Sequence, residues 1–308
     1  MIRVSFPHMG TSVSKRFEVA VKVFKGGEVN VVISNEFLSH CHPYDHVMVT
    51  GNLMNSDMVM AFFLTIDALR RHNPSIKVHA HIPYFPYARQ DRVCNSGEAL
   101  SVALFTKLLN AMELESVTLL DPHSDVTPAL VNNSIINTQK ELLEEILGFQ
   151  HLGIDVDQIV LIAPDAGAVK KTKALTDYLS KEHFVSQNSL VSEYMTATKV
   201  RNLETLEITE TRFDGDVKDR NVLVVDDICD GGRTFIELAK QLRAQGCKQL
   251  SLFVTHGIFS YGVNELMKWY DKVYTTDSFH PDGNSEIRQS TREFKDPDGV
   301  SRFHWSLV

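Results

Sequence analysis

Two adjacent carboxylates, Asp226 and Asp227, followed at short range by Gly231-Gly232 and Thr234, are the side chains best suited to chemistry in this chain. Vicinal aspartates can grip a sugar diol, directly or through Mg²⁺, a hard cation that takes oxygen ligands. A glycine turn that feeds a helix aims backbone N–H groups and the positive end of the helix dipole at an anion such as phosphate. Taken alone, the same pattern also describes an ordinary strand, turn and helix with a solvated acidic pair. Its meaning depends on what positions it.

The positioning elements are legible on either side. Val222 to Val225 is a four-residue apolar run, too short for a helix and rich in β-branched residues, which reads as a buried parallel strand. After the glycines, Thr234 opens an amphipathic pattern through Phe235, Ile236, Leu238, Ala239 and Leu242. The carboxylates therefore stand at the carboxyl end of a strand, where open α/β sheets bind their ligands.

The 308 residues, 43% hydrophobic, suffice for one large or two ordinary domains with substantial cores. A formal net charge of −8 argues against nucleic acid as a partner, which needs basic surface. Cys41, Cys94, Cys229 and Cys247 are scattered, without metal-ligand spacing, and read as free thiols of a reducing compartment. No apolar run approaches the roughly 18–20 residues of a membrane span and the N-terminus lacks a signal-peptide pattern, so the expected class is a soluble cytoplasmic α/β protein without a membrane partner.

In chain order, residues 2–6, 17–24 and 29–33 read as strands, with Lys25-Gly26-Gly27 turning the last two into a hairpin. Val47 to Thr50 is a strand; a helix follows, with Ser56 as its expected N-cap. Lys77 to Ile82 is a strand, residues 98–112 a helix, and Ser116 to Leu120 a strand ending in Asp121-Pro-His-Ser-Asp125. Further on come helix 140–147, strand 158–163, Pro164-Asp165-Ala-Gly-Ala168 and helix 169–179. Residues 186–215, polar and weakly periodic, read as a mobile loop or β-flap. The plan of Val47–Tyr87 returns in Val222–Tyr261 at an offset of roughly 174 residues, an internal duplication. Two domains are expected, over residues 1–140 and 141–308.

Several stretches carry a resemblance to a known family. Ile82-Pro-Tyr-Phe-Pro-Tyr-Ala-Arg-Gln-Asp-Arg92 is similar to the ATP-binding loop of the ribose-phosphate pyrophosphokinase (PRPP synthetase) family. Phe24–Val29, Asp67–Arg71, Pro164–Gly167 and Thr255–Ser260 also resemble that family, in its order, and the matches span about residues 20–280. The stretch at Asp226 resembles the 5-phosphoribosyl 1-diphosphate (PRPP) loop of the phosphoribosyltransferase fold, with Asp230-Gly231-Gly232-Arg233-Thr234 where the family has Asp-Thr-Gly-x-Thr. The resemblance implies an α/β fold of two tandem phosphoribosyltransferase-type domains, each a mainly parallel sheet flanked by helices. It implies transfer of the β,γ-diphosphoryl group of ATP to the C1 hydroxyl of ribose 5-phosphate, with Mg²⁺ as cofactor and AMP released.

Residue by residue, it implies ATP contacts at Arg89, Gln90, Asp91 and His123, and Mg²⁺ ligation at His123 and Asp165. Asp226, Asp227, Asp230, Gly231, Gly232, Arg233 and Thr234 would hold ribose 5-phosphate and PRPP. Lys199 and Arg201 match the family's Lys-x-Arg, which stabilises transition-state charge, and Lys170 and Lys171 fit phosphate contacts. Phe24 and Glu28 match a hairpin that meets the adenine of a neighbouring subunit's ATP, which implies a homo-oligomer of at least two subunits, with a hexamer as the larger form. Gly26 replaces a family Asp in that hairpin, and Ser39–Asp45 replaces the family's allosteric Arg-Gly-x-Asp stretch. Two other readings are weighed. A PRPP-consuming phosphoribosyltransferase accounts for residues 222–236 but not for Tyr84–Arg92, and an inactive regulatory homologue would be expected to have lost the Asp pair, His123 or Lys-x-Arg.

Overall fold

The computed structural model describes residues 1–6, 16–140, 142–143, 159–181, 191–201, 208–213 and 215–279. The chain divides into two compact units between Asn137 and Thr138.

In the first unit, apolar alternation produces β1 (Ile2–Ser5), β2 (Phe17–Glu18), β5 (His46–Gly51), β6 (Lys77–Ile82), β7 (Ser116–Leu120) and β8 (Ser134–Asn137). They form one sheet in the order β2-β1-β5-β6-β7-β8, antiparallel around β1 and parallel from β5 to β8. A separate antiparallel hairpin joins β3 (Ala20–Val23) to β4 (Val29–Val32), as the Gly26-Gly27 turn predicts. The helices are α1 (Asn35–Leu38), α2 (Ser56–His72), α3 (Ser101–Asn110) and α4 (Val126–Leu130). Val47, Val49, Val78, Ala80, Ile82, Val117 and Leu119 line one sheet face and pack with Phe62, Ile66, Leu69 and Phe105 of α2 and α3. Asn55, and not Ser56, caps α2: its side-chain oxygen accepts from the Met58 amide at 2.9 Å, so Ser56 is the first helical residue.

The second unit contains β9 (Ile159–Ala163), α5 (Val169–Lys181), β10 (Val191–Arg201), β11 (Ile208–Phe213), β12 (Asn221–Cys229), α6 (Arg233–Ala244), β13 (Gln249–Gly257), α7 (Asn264–Met267) and β14 (Lys272–Thr275). The sheet order is β11-β10-β9-β12-β13-β14, parallel except for the antiparallel β10–β11 pair. Residues 191–201 and 208–213 thus form strands, an antiparallel pair in keeping with the β-flap alternative and not with a loop, while residues 186–190, 202–207 and 214 of that stretch lie outside the described residues. Ala197 and Phe213 are buried there, and β10 pairs with β9 over Val191–Thr196 and with β11 over Ala197–Arg201, which a count of large apolar residues does not show. Residues 141 and 144–147 of the expected helix lie outside the described residues.

The duplication is visible in β5-α2-β6 and β12-α6-β13, parallel strands joined through a helix in both units. The flanking strand differs. Antiparallel β1 borders β5, whereas parallel β9 borders β12. From β9 the chain runs outward to β10 and β11, then returns to β12 on the other side of β9. This reversal is a topological switch point, where a crevice opens at the carboxyl ends of the strands.

Candidate active site

Asp165 follows β9 and Asp226 and Asp227 lie on β12, so the switch point brings together carboxylates far apart in sequence. Strand β12 runs on to Cys229, pairing Asp226 with Val254, Ile228 with His256 and Cys229 with Gly257. The acidic pair therefore stands inside the strand and not beyond its end. Asp227 is buried, its side chain only 8% exposed, and its Oδ2 lies 3.7 Å from Nζ of Lys171 in the first turn of α5. Asp226 accepts the Asp227 amide on Oδ1 at 2.9 Å. Burial first, then the charge and hydrogen bond of Asp227 and the charge of Asp165, raise the Asp226 carboxyl well above the usual carboxylate range.

The turn after β12 leads into a helix whose first backbone N–H groups no side chain caps. Gly232 is the N-cap of α6 with φ 76°, a left-handed conformation suited to glycine. The helix thus begins at Arg233, with Thr234 second. A Cβ on Gly231 would come within 3.2 Å of the exposed Tyr261 ring, which can yield, so only Gly232 requires glycine here. The loop after β13 holds the turn in place: the Ile258 and Phe259 amides donate to the Cys229 oxygen, the Ser260 amide to the Asp230 oxygen, and the Ser260 hydroxyl to the Asp230 carboxylate.

On the first unit, the loop after β6 is anchored by buried Phe85 and Ala88, with Phe85 edge-on to Phe105 at 5.1 Å. Tyr87 takes φ 63°, and the exposed Arg89 and Gln90 follow it. Asp91 is different: its side chain is only 6% exposed and accepts from Arg92 at 3.0 Å. Burial alone would raise its carboxyl, but hydrogen bonds from Arg92 and Ser124, then the charges of Arg92 and His123, outweigh this and hold it below the usual range. Asp91 thus ties its loop to the one carrying His123. Tyr87, Asp121 (φ 37°) and Phe259 (φ 46°) take positive φ in loops that follow strands, as Tyr44, Glu113, Asn133 and Asp219 do in turns that precede them.

Asp165 caps its own turn, with Oδ1 accepting from the Gly167 and Ala168 amides at 2.9 and 3.3 Å. Among the described residues no group of three or more His, Cys, Asp and Glu stands ready to enclose a metal. Mg²⁺ uses one or two carboxylates and completes its shell with water and substrate phosphates. The crowding of Asp226, Asp227 and Asp165 is the kind of charge a cation relieves, so the donor set fits. Lys199 pairs with Thr211 and Arg201 with Ile208, with a register shift between Val200 and Arg201; their side chains lie outside the described residues. In the β3–β4 hairpin, Phe24 and Glu28 are exposed, the Phe24 amide donating to the Glu28 oxygen at 2.8 Å and Lys22 lying over the Phe24 ring.

Sequence reasoning missed Gln139. Its Nε2 donates to the main-chain oxygen of Asp226 at 2.6 Å, across 87 residues, and no local pattern signals that reach.

Comparison with known proteins is consistent with this layout. Residues 8–112 match the profile for the N-terminal domain of ribose phosphate pyrophosphokinase, and residues 133–289 that of the phosphoribosyl transferase domain. The ribose-phosphate pyrophosphokinase of Thermococcus kodakarensis is 31% identical over 275 residues, covering 86% of this chain and 84% of the relative. That of Pyrococcus furiosus is 27% identical, covering 85% and 82%, and ribose-phosphate pyrophosphokinase 4 of Saccharomyces cerevisiae is 27% identical, covering 86% and 78%. The crystal structure of phosphoribosylpyrophosphate synthetase from Mycobacterium smegmatis shares the fold, with a TM-score of 0.69 at 22% identity over 88% of this chain and 84% of that one.

Proposed function

This chain belongs to the ribose-phosphate pyrophosphokinase family, and on that premise we propose how its residues make PRPP. The reaction moves the β,γ-diphosphoryl group of ATP to the C1 hydroxyl of ribose 5-phosphate and releases AMP. The observation that carries this reading is the Asp226–Asp227 pair beside the uncapped helix turn Asp230–Thr234 at the switch point. The aspartates take the ribose diol, and the N–H groups of Gly231 to Thr234 take the 5-phosphate. A phosphate there is bound by backbone donors, so the absence of the family's first Thr removes a hydroxyl and not the cradle.

ATP is assigned to the first unit. Arg89 supplies a planar fork for phosphate oxygens and Gln90 a further donor. Asp91 acts through His123 and Ser124, holding that loop in register with its own. Mg²⁺ would supply charge neutralisation for the transferring diphosphoryl group; on the second unit Asp165, beside the Asp226–Asp227 pair, is a proposed ligand, and on the first unit His123 is another. Lys199 and Arg201 stabilise charge that develops in transfer, which calls for positioned cations more than covalent chemistry. The exposed Phe24–Glu28 hairpin is proposed to reach the adenine of a second copy, making a homo-oligomer the working form.

No helix among the described residues is long and apolar enough to cross a membrane. A PRPP-consuming phosphoribosyltransferase leaves the match of residues 8–112 unexplained. The test is direct. Purified protein with ATP, Mg²⁺ and ribose 5-phosphate should yield PRPP and AMP by ³¹P NMR; ADP as the nucleotide product, or no turnover, overturns the reading.

A further inference from the structure

We propose that Gln139 is a positioning residue for Asp226, acting through the peptide group between Asp226 and Asp227. This rests on the assignment of that pair to the ribose. The Gln139 Nε2 donates to the main-chain oxygen of Asp226 at 2.6 Å and to Oγ1 of Thr255 at 3.3 Å. At the other end of the same peptide group, the Asp227 N–H donates to Oδ1 of Asp226 at 2.9 Å. The peptide unit is planar, so a donor that fixes its oxygen also fixes the direction of its N–H. A hydrogen bond to the carbonyl also polarises the amide and strengthens the bond its N–H makes. Gln139 thus sets where one oxygen of the Asp226 carboxylate is held.

The clamp is well anchored. Gln139 is buried, and its second partner, Thr255, is itself held: the Thr276 and Ser278 hydroxyls donate to the Thr255 oxygen at 2.6 and 3.1 Å. Nδ1 of His256 shares a hydrogen bond with the Ser278 hydroxyl at 2.8 Å. Ladder pairing of β12 with β13 is recorded at Asp226–Val254 and Ile228–His256, and the Gln139 amide enters between those rungs, where Asp227 stands opposite Thr255. Burying an amide is costly unless its donors are used, so an apolar residue would serve packing alone at least as well. The donor is spent on the one peptide that orients the diol-binding carboxylate.

The test compares two variants with wild type. Gln139→Met keeps the length of the side chain and removes the donor. It should raise the KM for ribose 5-phosphate about tenfold, the lower end for loss of a supporting hydrogen bond, and leave the KM for ATP unmoved. The ¹⁵N–¹H resonance of the Asp227 amide should shift upfield in the ligand-free enzyme as its bond to Oδ1 loosens. Thr255→Val keeps the Gln139–Asp226 bond, so it should lower Tm without moving the KM ratio or that resonance. If Gln139→Met does not fold, Gln139→Leu, which likewise carries no donor, has the same expectations. A Gln139 variant with wild-type KM and an unmoved Asp227 amide overturns the proposal, as does an equal rise in both KM values. Wild-type protein that makes no PRPP would instead overturn the assigned reaction, while the amide shift would still test the clamp.

Discussion

Nζ of Lys171 lies 3.7 Å from Oδ2 of Asp227, a cation set against a buried carboxylate of the proposed diol-binding pair. The lysine keeps 34% of its side chain exposed, so water screens the pair in part. Removing one partner of a fully buried pair costs about 3–5 kcal/mol. With Lys171 partly in water, Lys171→Met should cost less, about 1–2 kcal/mol, read as a lowered urea midpoint. The KM for ribose 5-phosphate should rise with it, and Lys171→Arg should recover both.

Asp226→Asn should abolish most activity and raise stability. The folded-state carboxyl titrates well above its unfolded value, so the folded protein holds the proton more tightly. Stability is then greatest below the unfolded pKa and declines as pH rises from there through the folded value. Asn carries no such penalty, so Tm at pH 7 should rise, by about 2–4 °C for each ~1 kcal/mol relieved. A scan of Tm against pH for both proteins checks this: the gap should close in acid.

Lys199→Ala should lower kcat by about 10²–10³ with ATP binding nearly unchanged, the signature of a contact made mainly in the transition state. Steady-state kinetics with titrated ATP decides it. A near-wild-type kcat would shift the role to Lys170 or Lys171.

Acid lability should trace in part to His81. It is 7% exposed on β6, and burial, followed by the charge of Arg16, lowers its pKa to about 4. A depressed histidine contributes stability above its unfolded pKa near 6.5 that is lost as pH falls toward 4. His81→Gln should therefore lose less Tm than wild type between pH 7.5 and pH 5, measured by calorimetry.

Phe24→Ala should weaken ATP use and self-association without unfolding the first unit, because Phe24 is 43% exposed at a hairpin tip. Light scattering paired with activity assays checks this. A fully active monomer at assay concentration would remove the hairpin from the ATP site.

Much of the architecture could be read from local pattern. Short β-branched runs such as Val222–Val225 have few ways to hide their side chains other than a sheet buried on both faces, and Gly26-Gly27 allows a tight reversal. The duplicated strand–helix–strand plan was visible because each copy must repeat the same apolar spacing to cover its sheet. Boundaries were less legible. Ser56 and Asn55 are both good caps, and only backbone geometry chose between them. Residues 191–201 form a strand because β9 takes the hydrogen bonds of its first half and β11 those of its second, and that comes from neighbours and not from its own polar composition.

The chemistry divides in the same way. Sequence by itself determined which groups are available: the vicinal Asp226 and Asp227, the glycines that admit a left-handed turn, and the rigid aromatic loop before Arg89. Those follow from covalent structure and steric limits, which act over a few residues. Tertiary structure alone decided that Asp227 is buried against Lys171, that Asp165 crowds Asp226, that Asp91 braces the loop of His123, and that Gln139 holds the Asp226 peptide. Charge, desolvation and hydrogen bonding act across space and not along the chain, so the state of each group is set by neighbours that only folding brings within reach.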